Sequence, residues 1–344
     1  MPRTDDNSIN VPTHTVVPEG WLPIAVGGRY LTVRWLRVEQ ETLSEPFFVS
    51  SIALLRARAP SPLECETDIE VLIQESGRLS PIEPVGLIVH MTRCGSTAVV
   101  NALRNADDTV VLSEAPPIEK VLHLAVSKSQ FWGDTGMSLL SPTVAAFARY
   151  QGAEPKKVVI KCGIEGSGFL PIFRAKWPHV PVLILIRDPL EVMVSNIQKP
   201  AQWFRSLRTS SPAPAGSPAE NAPRRAEWIE RGVQAIGRIC SDMVQHMYDS
   251  CIVMDSADMS PARIHRVAES FGLQFSIEGE AEFLRSLSRY SKNMKQPFED
   301  DTERKQRAAD EHLRTSVAQW IAEPYRVLKQ RAVGRNGAPK EDKI

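Results

Sequence analysis

A cation, a glycine and two adjacent hydroxyl side chains stand together in the stretch HMTRCGSTAVVNAL at residues 90–103. The stretch follows the apolar run VGLIV, and its second half has the apolar spacing of a helix. A tight turn between a strand and a helix presents unpaired helix N–H groups to an anion. We therefore predict a phosphate-binding turn. Its residues are Arg93, Cys94, Gly95, Ser96 and Thr97.

Each residue type in this turn contributes a different part of an anion site. Gly95 lets the backbone approach an anion closely, Ser96 and Thr97 add hydroxyl donors, and Arg93 adds positive charge. The stretch also has a structural interpretation, in which a hydroxyl residue only caps the start of a helix. The usual nucleotide loop, G-x-x-x-x-G-K-[ST], does not occur in the sequence, so this turn differs from the common one.

A second cation ends the most apolar run of the chain, in LILIRDPLEVMVSNIQ at residues 183–198. Arg187 follows the run, Asp188 can cap the helix that comes next, and Pro189 suits its first position. Ser195 lies eight residues after Arg187. One interpretation is a well-capped helix with Arg187 in a structural ion pair. The other is a second anion site at the carboxyl edge of the sheet, where ligands of open α/β sheets bind.

Short apolar runs rich in β-branched residues must position these two motifs. The runs are VGLIVH, TVVL at 109–112, KVVIK at 157–161, VPVLILI at 180–186 and CIVMD at 251–255, and helical segments separate them. Continuous apolar strands alternating with helices indicate a parallel sheet that is buried on both faces. We predict a three-layer α/β fold in which helices flank a central parallel sheet, with a small β-containing extension before it.

The predicted organisation has two tails, an extension and one large domain. The segments are a flexible tail at 1–20, a hairpin and helix extension at 21–84, the α/β domain at 85–334 and a flexible tail at 335–344. A flexible insert at 208–225, RTSSPAPAGSPAENAPRR, interrupts the domain. Its composition buries too little apolar surface to offset the entropy of ordering. The insert is either a linker or a mobile lid over a site.

Composition limits the class of protein and of partner. Lys plus Arg equals Asp plus Glu at 41 each, which gives no support for a nucleic-acid partner. No run approaches the roughly 20 apolar residues of a membrane span, and the first 20 residues lack the apolar core of a signal peptide. The five cysteines are scattered without a C-x-x-C pair, so we expect neither structural zinc nor a disulfide framework. A cytoplasmic location follows as the expectation.

The pair TRCGST and IRDPLEVMVS resembles the two cofactor motifs of the sulfotransferases that depend on 3′-phosphoadenosine 5′-phosphosulfate, PAPS. In that family a first loop, P-[KR]-S-G-[ST]-T, wraps the 5′-phosphosulfate. A second motif supplies an Arg and, eight residues later, a Ser for the 3′-phosphate. The resemblance covers about residues 85–275 and implies a P-loop-like fold. It implies that the turn at Arg93–Thr97 holds the 5′-phosphate, and that Arg187 and Ser195 hold the 3′-phosphate.

The sequence departs from the family pattern at three positions. Cys94 replaces the usual Ser of the loop, and Ala98 stands where many members carry an aromatic residue. Many members also have a catalytic His in a K-T-H motif after the third strand. Here, in IKCGIEG, Lys161 matches the Lys, but Gly163 takes the place of the His. The resemblance therefore implies a base from elsewhere, and assigns Lys161 to the sulfonate or bridging oxygen.

The resemblance points to Glu114 as the general base. Glu114 directly follows the second strand of the α/β region, 21 residues after Arg93. The tyrosylprotein sulfotransferases have a catalytic Glu at this distance from the loop cation, although Pro116 stands in place of their nearby Arg. A solvated loop carboxylate is the structural alternative, and His90 and His123 are rival bases. The basic stretch SRYSKNMKQPF at 288–298 either closes over the 3′-phosphate or is a solvated loop.

The resemblance implies in-line transfer of a sulfuryl group from PAPS to a hydroxyl or amine of a small-molecule or natural-product acceptor, without a metal. Positioning and charge stabilisation by Arg93 and Lys161 should dominate such a transfer. Two alternatives stay open. One is a P-loop small-molecule kinase with magnesium on Asp188 or Asp255, against which stands the missing loop Lys. The other is a nucleotide-binding module without catalysis.

Overall fold

The computed structural model describes residues 20–28, 31–38, 42–59, 63–77, 82–152, 154–209, 221–289 and 301–334. Its strands are β1 (Trp21–Gly27), β2 (Thr32–Arg37), β3 (Glu64–Asp68), β4 (Gly86–His90), β5 (Thr109–Ser113), β6 (Lys157–Lys161), β7 (Val182–Ile186) and β8 (Cys251–Asp255). Nearly all of both predicted tails, most of the insert at 208–225 and most of the basic stretch at 288–298 lie outside the described residues.

Helices account for most of the other described residues. They are α1 (Phe48–Arg58), α2 (Ile69–Gly77), α3 (Ser96–Leu103), α4 (Pro116–Ala125), α5 (Gln130–Arg149), α6 (Leu170–Lys176), α7 (Pro189–Gln198), α8 (Gln202–Thr209), α9 (Asn221–His246), α10 (Pro261–Ser270), α11 (Ile277–Leu287), α12 (Thr302–Ala308), α13 (Glu311–Trp320) and α14 (Ala322–Gly334). Two 3₁₀ helices cover Ile164–Phe169 and Ser256–Asp258. Among the described helices, none combines the length and apolarity that crossing a membrane requires.

The chain forms two compact units. The first contains the described residues up to Glu83 together with Glu114–Val158. The second contains Pro84–Ser113 together with the described residues from Val159 onward. The segment Glu114–Val158, which lies within the predicted α/β domain in chain order, therefore packs with the N-terminal elements.

The first unit is built on a small antiparallel sheet. Its strands lie in the order β1-β2-β3, and both pairs are antiparallel. Trp35 of β2 donates its indole N–H to the hydroxyl of Thr67 on β3 at 3.0 Å, so a buried polar group is satisfied inside the sheet. Helices α4 and α5 pack on each other, and Phe48 of α1 contacts Phe147 of α5 edge to face. The predicted β-containing extension is confirmed.

The second unit carries a five-stranded sheet in the order β5-β6-β4-β7-β8. The pairs β4–β6, β4–β7 and β7–β8 are parallel. Every residue of β4 and β7 is buried, because the runs GLIVH and VLILI are covered on both faces. Helix α14 packs against β8, and the 3₁₀ helix after β6 packs against β4. The predicted α/β fold with a central parallel sheet is confirmed.

The strand order places a topological switch point between β4 and β7. From β4 the chain crosses to β5 at one edge of the sheet, whereas from β7 it continues to β8 at the other edge. Two neighbouring parallel strands whose connections leave in opposite directions open a crevice at their carboxyl ends. The two sequence motifs follow β4 and β7 directly, so the fold brings both to this crevice.

The packing at the start of β4 yields a test of the sheet. A Cβ added to Gly86 would lie 2.2 Å from a ring carbon of Phe271, whose side chain is buried. We therefore expect Gly86→Ala to lower the free energy of unfolding in urea by about 1–3 kcal/mol, the usual cost of overpacking. Gly168→Ala is the control, because nothing lies within 4 Å of its added Cβ. Equal stabilities of the two variants would contradict this packing.

Candidate functional site

The turn between β4 and α3 depends on left-handed backbone. Arg93 has a φ of 60° and Gly95 a φ of 83°. The carbonyl oxygen of Gly95 accepts the N–H of Ala98 at 2.8 Å, so α3 begins immediately after it. A non-glycine residue in this conformation is uncommon, and such residues cluster at ligand sites. The turn therefore places the N-terminus of α3 at the carboxyl end of β4, as the sequence predicted.

Cys94 is a neutral, packed side chain at the centre of the turn. Burial raises the pKa of its thiol to about 11, although the Ser96 N–H and the charges of Lys161 and Arg187 act to lower it. The thiol therefore stays protonated at neutral pH. Lys161 ends β6 and Arg187 directly follows β7, and these two strands flank β4, so both cations lie beside the turn. Ser96 and Thr97, the two hydroxyl residues, are also buried there.

Two polar side chains beside the turn have different roles. Lys161 ends β6 opposite Ile88 of β4, and its side chain is almost completely buried. A buried ammonium group of this kind is costly unless it meets negative charge or hydrogen-bond acceptors. His90, the last residue of β4, has its Nε2 3.1 Å from the carbonyl oxygen of Cys162. A carbonyl oxygen only accepts, so this ring nitrogen must carry the proton, and His90 ties β4 to the chain after β6.

Arg187 joins the second motif to the first. Its guanidinium donates to Glu191 through Nε at 2.7 Å and through a terminal nitrogen at 2.5 Å. It also reaches the carbonyl oxygen of Arg93 at 3.3 Å and the carboxylate of Asp301 at 3.2 Å. Burial acts to lower the pKa of Arg187, but Glu191 and Asp301 offset this effect and leave the pKa raised. Arg187 is therefore a fixed cation at the switch point.

One face of α7 continues from Arg187. Glu191 and Ser195 lie four residues apart on one face of α7, and Arg187, which precedes the cap of the helix, pairs with Glu191. Asp188 caps this helix as predicted, because its carboxylate accepts the N–H of Leu190 at 2.9 Å and that of Glu191 at 3.2 Å. The guanidinium of Arg93 donates to the carbonyl oxygen of Lys199, just beyond the other end of α7.

Glu114 directly follows β5, the strand at one edge of the sheet. Its φ of 55° is left-handed, as is that of Arg93. Its side chain is half-buried, whereas the preceding Ser113 is buried. His123, a rival base in the sequence analysis, lies on the exposed side of α4. The structure thus places Glu114 at the predicted strand end, in backbone that few non-glycine residues adopt.

Three charged residues of this region were not identified from the sequence. They are Glu191, Asp301 and Lys305, and all of them belong to the ion-pair network around Arg187. The spacing of Arg187 and Glu191 by four residues on a helix was a usable signal for the first. No local pattern indicates Asp301, which lies 114 residues after Arg187.

The second unit thus holds cationic groups at two places near the switch point. One is the turn, with the N-terminus of α3 and Lys161. The other is the guanidinium of Arg187, which donates to the carbonyl oxygen of Arg93 in the turn and precedes the helix that carries Ser195.

Comparison with known proteins identifies sulfotransferases among solved structures. No protein-family model matches the chain, and no curated protein matches it. A sulfotransferase from Alicyclobacillus acidocaldarius is 14% identical, with 73% of this chain and 96% of that chain covered and a TM-score of 0.40. Mouse sulfotransferase SULT7A1, in complex with PAP, is 11% identical, with 78% and 94% covered and a TM-score of 0.43.

A third similar solved structure is also a sulfotransferase. Sulfotransferase STF9 from Mycobacterium avium is 13% identical, with 72% of this chain and 81% of that chain covered and a TM-score of 0.44. At these identities and TM-scores, the residues of the chain itself must carry any assignment of activity.

The backbone of the turn can be tested at Gly95. We expect Gly95→Ala to lower the free energy of unfolding by about 1–2 kcal/mol, because an L-residue is strained in left-handed backbone. An added Cβ would also lie 2.4 Å from the end of the Met259 side chain. That side chain is flexible at its tip, so the backbone should account for most of the cost. The measurement is urea unfolding of Gly95→Ala in the wild-type and in the Met259→Ala background. A cost that disappears with Met259→Ala would contradict the strained turn.

Proposed function

We propose that this protein is a sulfotransferase that moves a sulfuryl group from PAPS to a hydroxyl or amine of a small-molecule or natural-product acceptor. The observation that carries the proposal is the contact between the two motifs at the switch point. Arg187 of the Arg-x₇-Ser motif hydrogen-bonds the backbone of the Arg-Cys-Gly-Ser-Thr turn. PAPS has phosphate groups at both its 5′ and its 3′ positions, so it matches two adjacent anion positions.

In this proposal the turn holds the 5′-phosphosulfate. The first N–H groups of α3 and the hydroxyls of Ser96 and Thr97 donate to the phosphate oxygens. Arg93 adds charge, and Gly95 keeps the backbone clear of side-chain atoms. Cys94 contributes shape rather than a strong hydrogen bond, because its thiol is neutral and a weak donor. Arg187 and Ser195 hold the 3′-phosphate, where the planar guanidinium suits bidentate binding of oxygen atoms.

Sulfuryl transfer forms one sulfur–oxygen bond while another breaks. The acceptor oxygen or nitrogen attacks sulfur in line, and the bond from sulfur to the bridging oxygen of the 5′-phosphate breaks. Negative charge then grows on the leaving phosphate, which departs as 3′-phosphoadenosine 5′-phosphate, PAP. Lys161 and Arg93 would stabilise this charge, and the burial of Lys161 strengthens its effect, because a dry site screens charge weakly.

Glu114 is the proposed general base for the acceptor proton. Support comes from its place directly after β5 and from its left-handed backbone, since residues with strained backbone cluster at active sites. The rivals have weaker support. His90 uses the proton on Nε2 to bind a backbone carbonyl, and His123 is exposed on α4. A correctly placed base contributes about 10²–10⁴-fold to the rate of such a step.

The kinase alternative needs a carboxylate that is available to magnesium. Asp188 already accepts the N–H groups of Leu190 and Glu191, and the side-chain amide of Gln306 at 3.0 Å. Asp255 is buried and accepts the Tyr325 hydroxyl at 2.8 Å. Both carboxylates stabilise the fold, which weighs against the kinase alternative. The alternative of a binding module without catalysis predicts the same ligand but no turnover.

The two-phosphate proposal is tested by removing Arg187. We expect Arg187→Ala to weaken PAP binding by about 1.5–3 kcal/mol, which is roughly 10- to 150-fold, because a charge-assisted contact is lost. Binding of adenosine 5′-phosphate, which lacks the 3′-phosphate, should hardly change. The measurement is calorimetric titration of both nucleotides. Arg285→Ala, an exposed cation of α11 that pairs with Glu282, is the control. Equal losses for both nucleotides would show that Arg187 is structural.

The proposed base is tested with Glu114→Gln, which keeps size and hydrogen bonding but removes the carboxylate. We expect turnover of labelled PAPS, over a panel of alcohols, phenols and amines, to fall about 100-fold or more. The affinity for PAP should stay at the wild-type value, since the interaction acts only in the chemical step. His123→Gln is the matched comparison and should retain turnover. A Gln variant of Glu114 with wild-type turnover would exclude this base.

A further inference from the structure

The carboxylate of Asp301 lies among three cations. It contacts Arg187 at 3.2 Å, Lys305 at 2.7 Å and Arg304 at 3.1 Å. Asp301 immediately precedes α12, and this helix packs against α7. The carboxylate therefore approaches the proposed 3′-phosphate cation from a segment that is distant in the sequence.

The guanidinium of Arg187 presents two edges, and they are occupied differently. Glu191 binds the edge formed by Nε and one terminal nitrogen, at 2.7 and 2.5 Å. Asp301 and the carbonyl oxygen of Arg93 bind the two terminal nitrogens, at the longer distances of 3.2 and 3.3 Å. The second edge is the end-on fork that binds a phosphate with two parallel hydrogen bonds. Asp301 thus occupies a position that suits an anionic ligand.

Of the two carboxylates, Asp301 is the more exposed and is therefore the one that can leave Arg187. The side chain of Glu191 is only 8% exposed, whereas that of Asp301 is 31% exposed. Burial acts to raise the pKa of Asp301, but Lys305 and Arg187 outweigh this effect and hold the pKa below its usual value. At neutral pH the carboxylate is therefore charged and competes directly with a phosphate for Arg187.

We propose that Asp301 is an internal counter-ion that a ligand's 3′-phosphate replaces on Arg187. This inference rests on the proposed function, because it takes PAPS or PAP as the ligand. In the exchange, the terminal nitrogen of Arg187 that binds Asp301 gives up this oxygen and binds a phosphate oxygen, while the other terminal nitrogen keeps the carbonyl oxygen of Arg93. Asp301 thereby sets the affinity of the site for nucleotides with a 3′-phosphate, and it leaves the affinity for other adenine nucleotides unchanged.

Two features lower the free-energy cost of this exchange. Asp301 keeps Lys305 and Arg304 as partners when it leaves Arg187, so its charge stays compensated. Helix α12 also keeps other contacts with α7 and its cap, because Gln306 donates to Asp188 at 3.0 Å and Thr302 to Glu191 at 3.4 Å. The pair between Arg187 and Asp301 is therefore not needed to hold α12 in place.

The test compares PAP with adenosine 5′-phosphate in calorimetric titrations of the full chain. The variants are Asp301→Asn, the double variant Asp301→Asn with Lys305→Met, and the control Glu303→Gln. The double variant guards against misfolding, because Asp301→Asn alone leaves the buried Lys305 without this carboxylate. Glu303 lies on the same helix, is 84% exposed and pairs with Arg307, so its variant makes the same change of charge away from Arg187.

We expect Asp301→Asn and the double variant to bind PAP about 10-fold more tightly than the wild type, because the carboxylate that competes with the 3′-phosphate for Arg187 is removed. Adenosine 5′-phosphate should bind all variants equally, and Glu303→Gln should match the wild type for both nucleotides. A crystal structure of the PAP complex should place the 3′-phosphate, and not Asp301, within hydrogen-bond distance of Arg187.

Different results would overturn the proposed function and the inference about Asp301. Wild-type protein that binds PAP no better than adenosine 5′-phosphate would overturn the proposed function, and this inference with it. Preferential binding of PAP that both Asp301 variants leave unchanged or weaken would overturn the inference alone. A PAP complex in which Asp301 still contacts Arg187 would do the same.

Discussion

The hydrogen bond from Arg187 to the carbonyl oxygen of Arg93 joins two motifs that lie 94 residues apart in the chain. It requires β4 and β7 to be neighbours in the sheet, and it requires the left-handed turn that follows β4. The parallel pairing supplies the first condition, because both strands end at the same edge. Gly95 and the strained Arg93 supply the second. This contact joins the second motif to the first.

Much of this arrangement is visible in the sequence, for definite physical reasons. Strands buried on both faces appear as continuous apolar runs, so KVVIK at 157–161 coincides with β6. The Asp-Pro pair after β7 predicts a capped helix, because capping depends only on neighbouring residues. Local patterns do not show which residues distant in the chain contact each other. Asp301 meets Arg187 through the packing of α12 on α7, and the segment Glu114–Val158 groups with N-terminal elements that are distant in the chain.

The acidic residues beside Arg187 compensate the charge of buried cations. Arg187 and Lys305 are largely buried, and uncompensated charge in such positions is strongly destabilising. In the proposed function these cations bind phosphate, so they need compensating carboxylates when no ligand is bound. Glu191 and Asp301 provide that compensation, and Asp301 is the more exposed of the two. The carboxylates beside Arg187 are thus compatible with the proposed anion site.

The central claim is that the switch point recognises an adenine nucleotide through two separate phosphate groups. Thermal unfolding of the wild-type protein with PAP, and in parallel with ATP and magnesium, tests it most directly. PAP at 100 times its dissociation constant should add about 2.7 kcal/mol to the stability of the folded state and raise the unfolding temperature. ATP with magnesium should have little effect. Stabilisation by ATP with magnesium and none by PAP would contradict the claim.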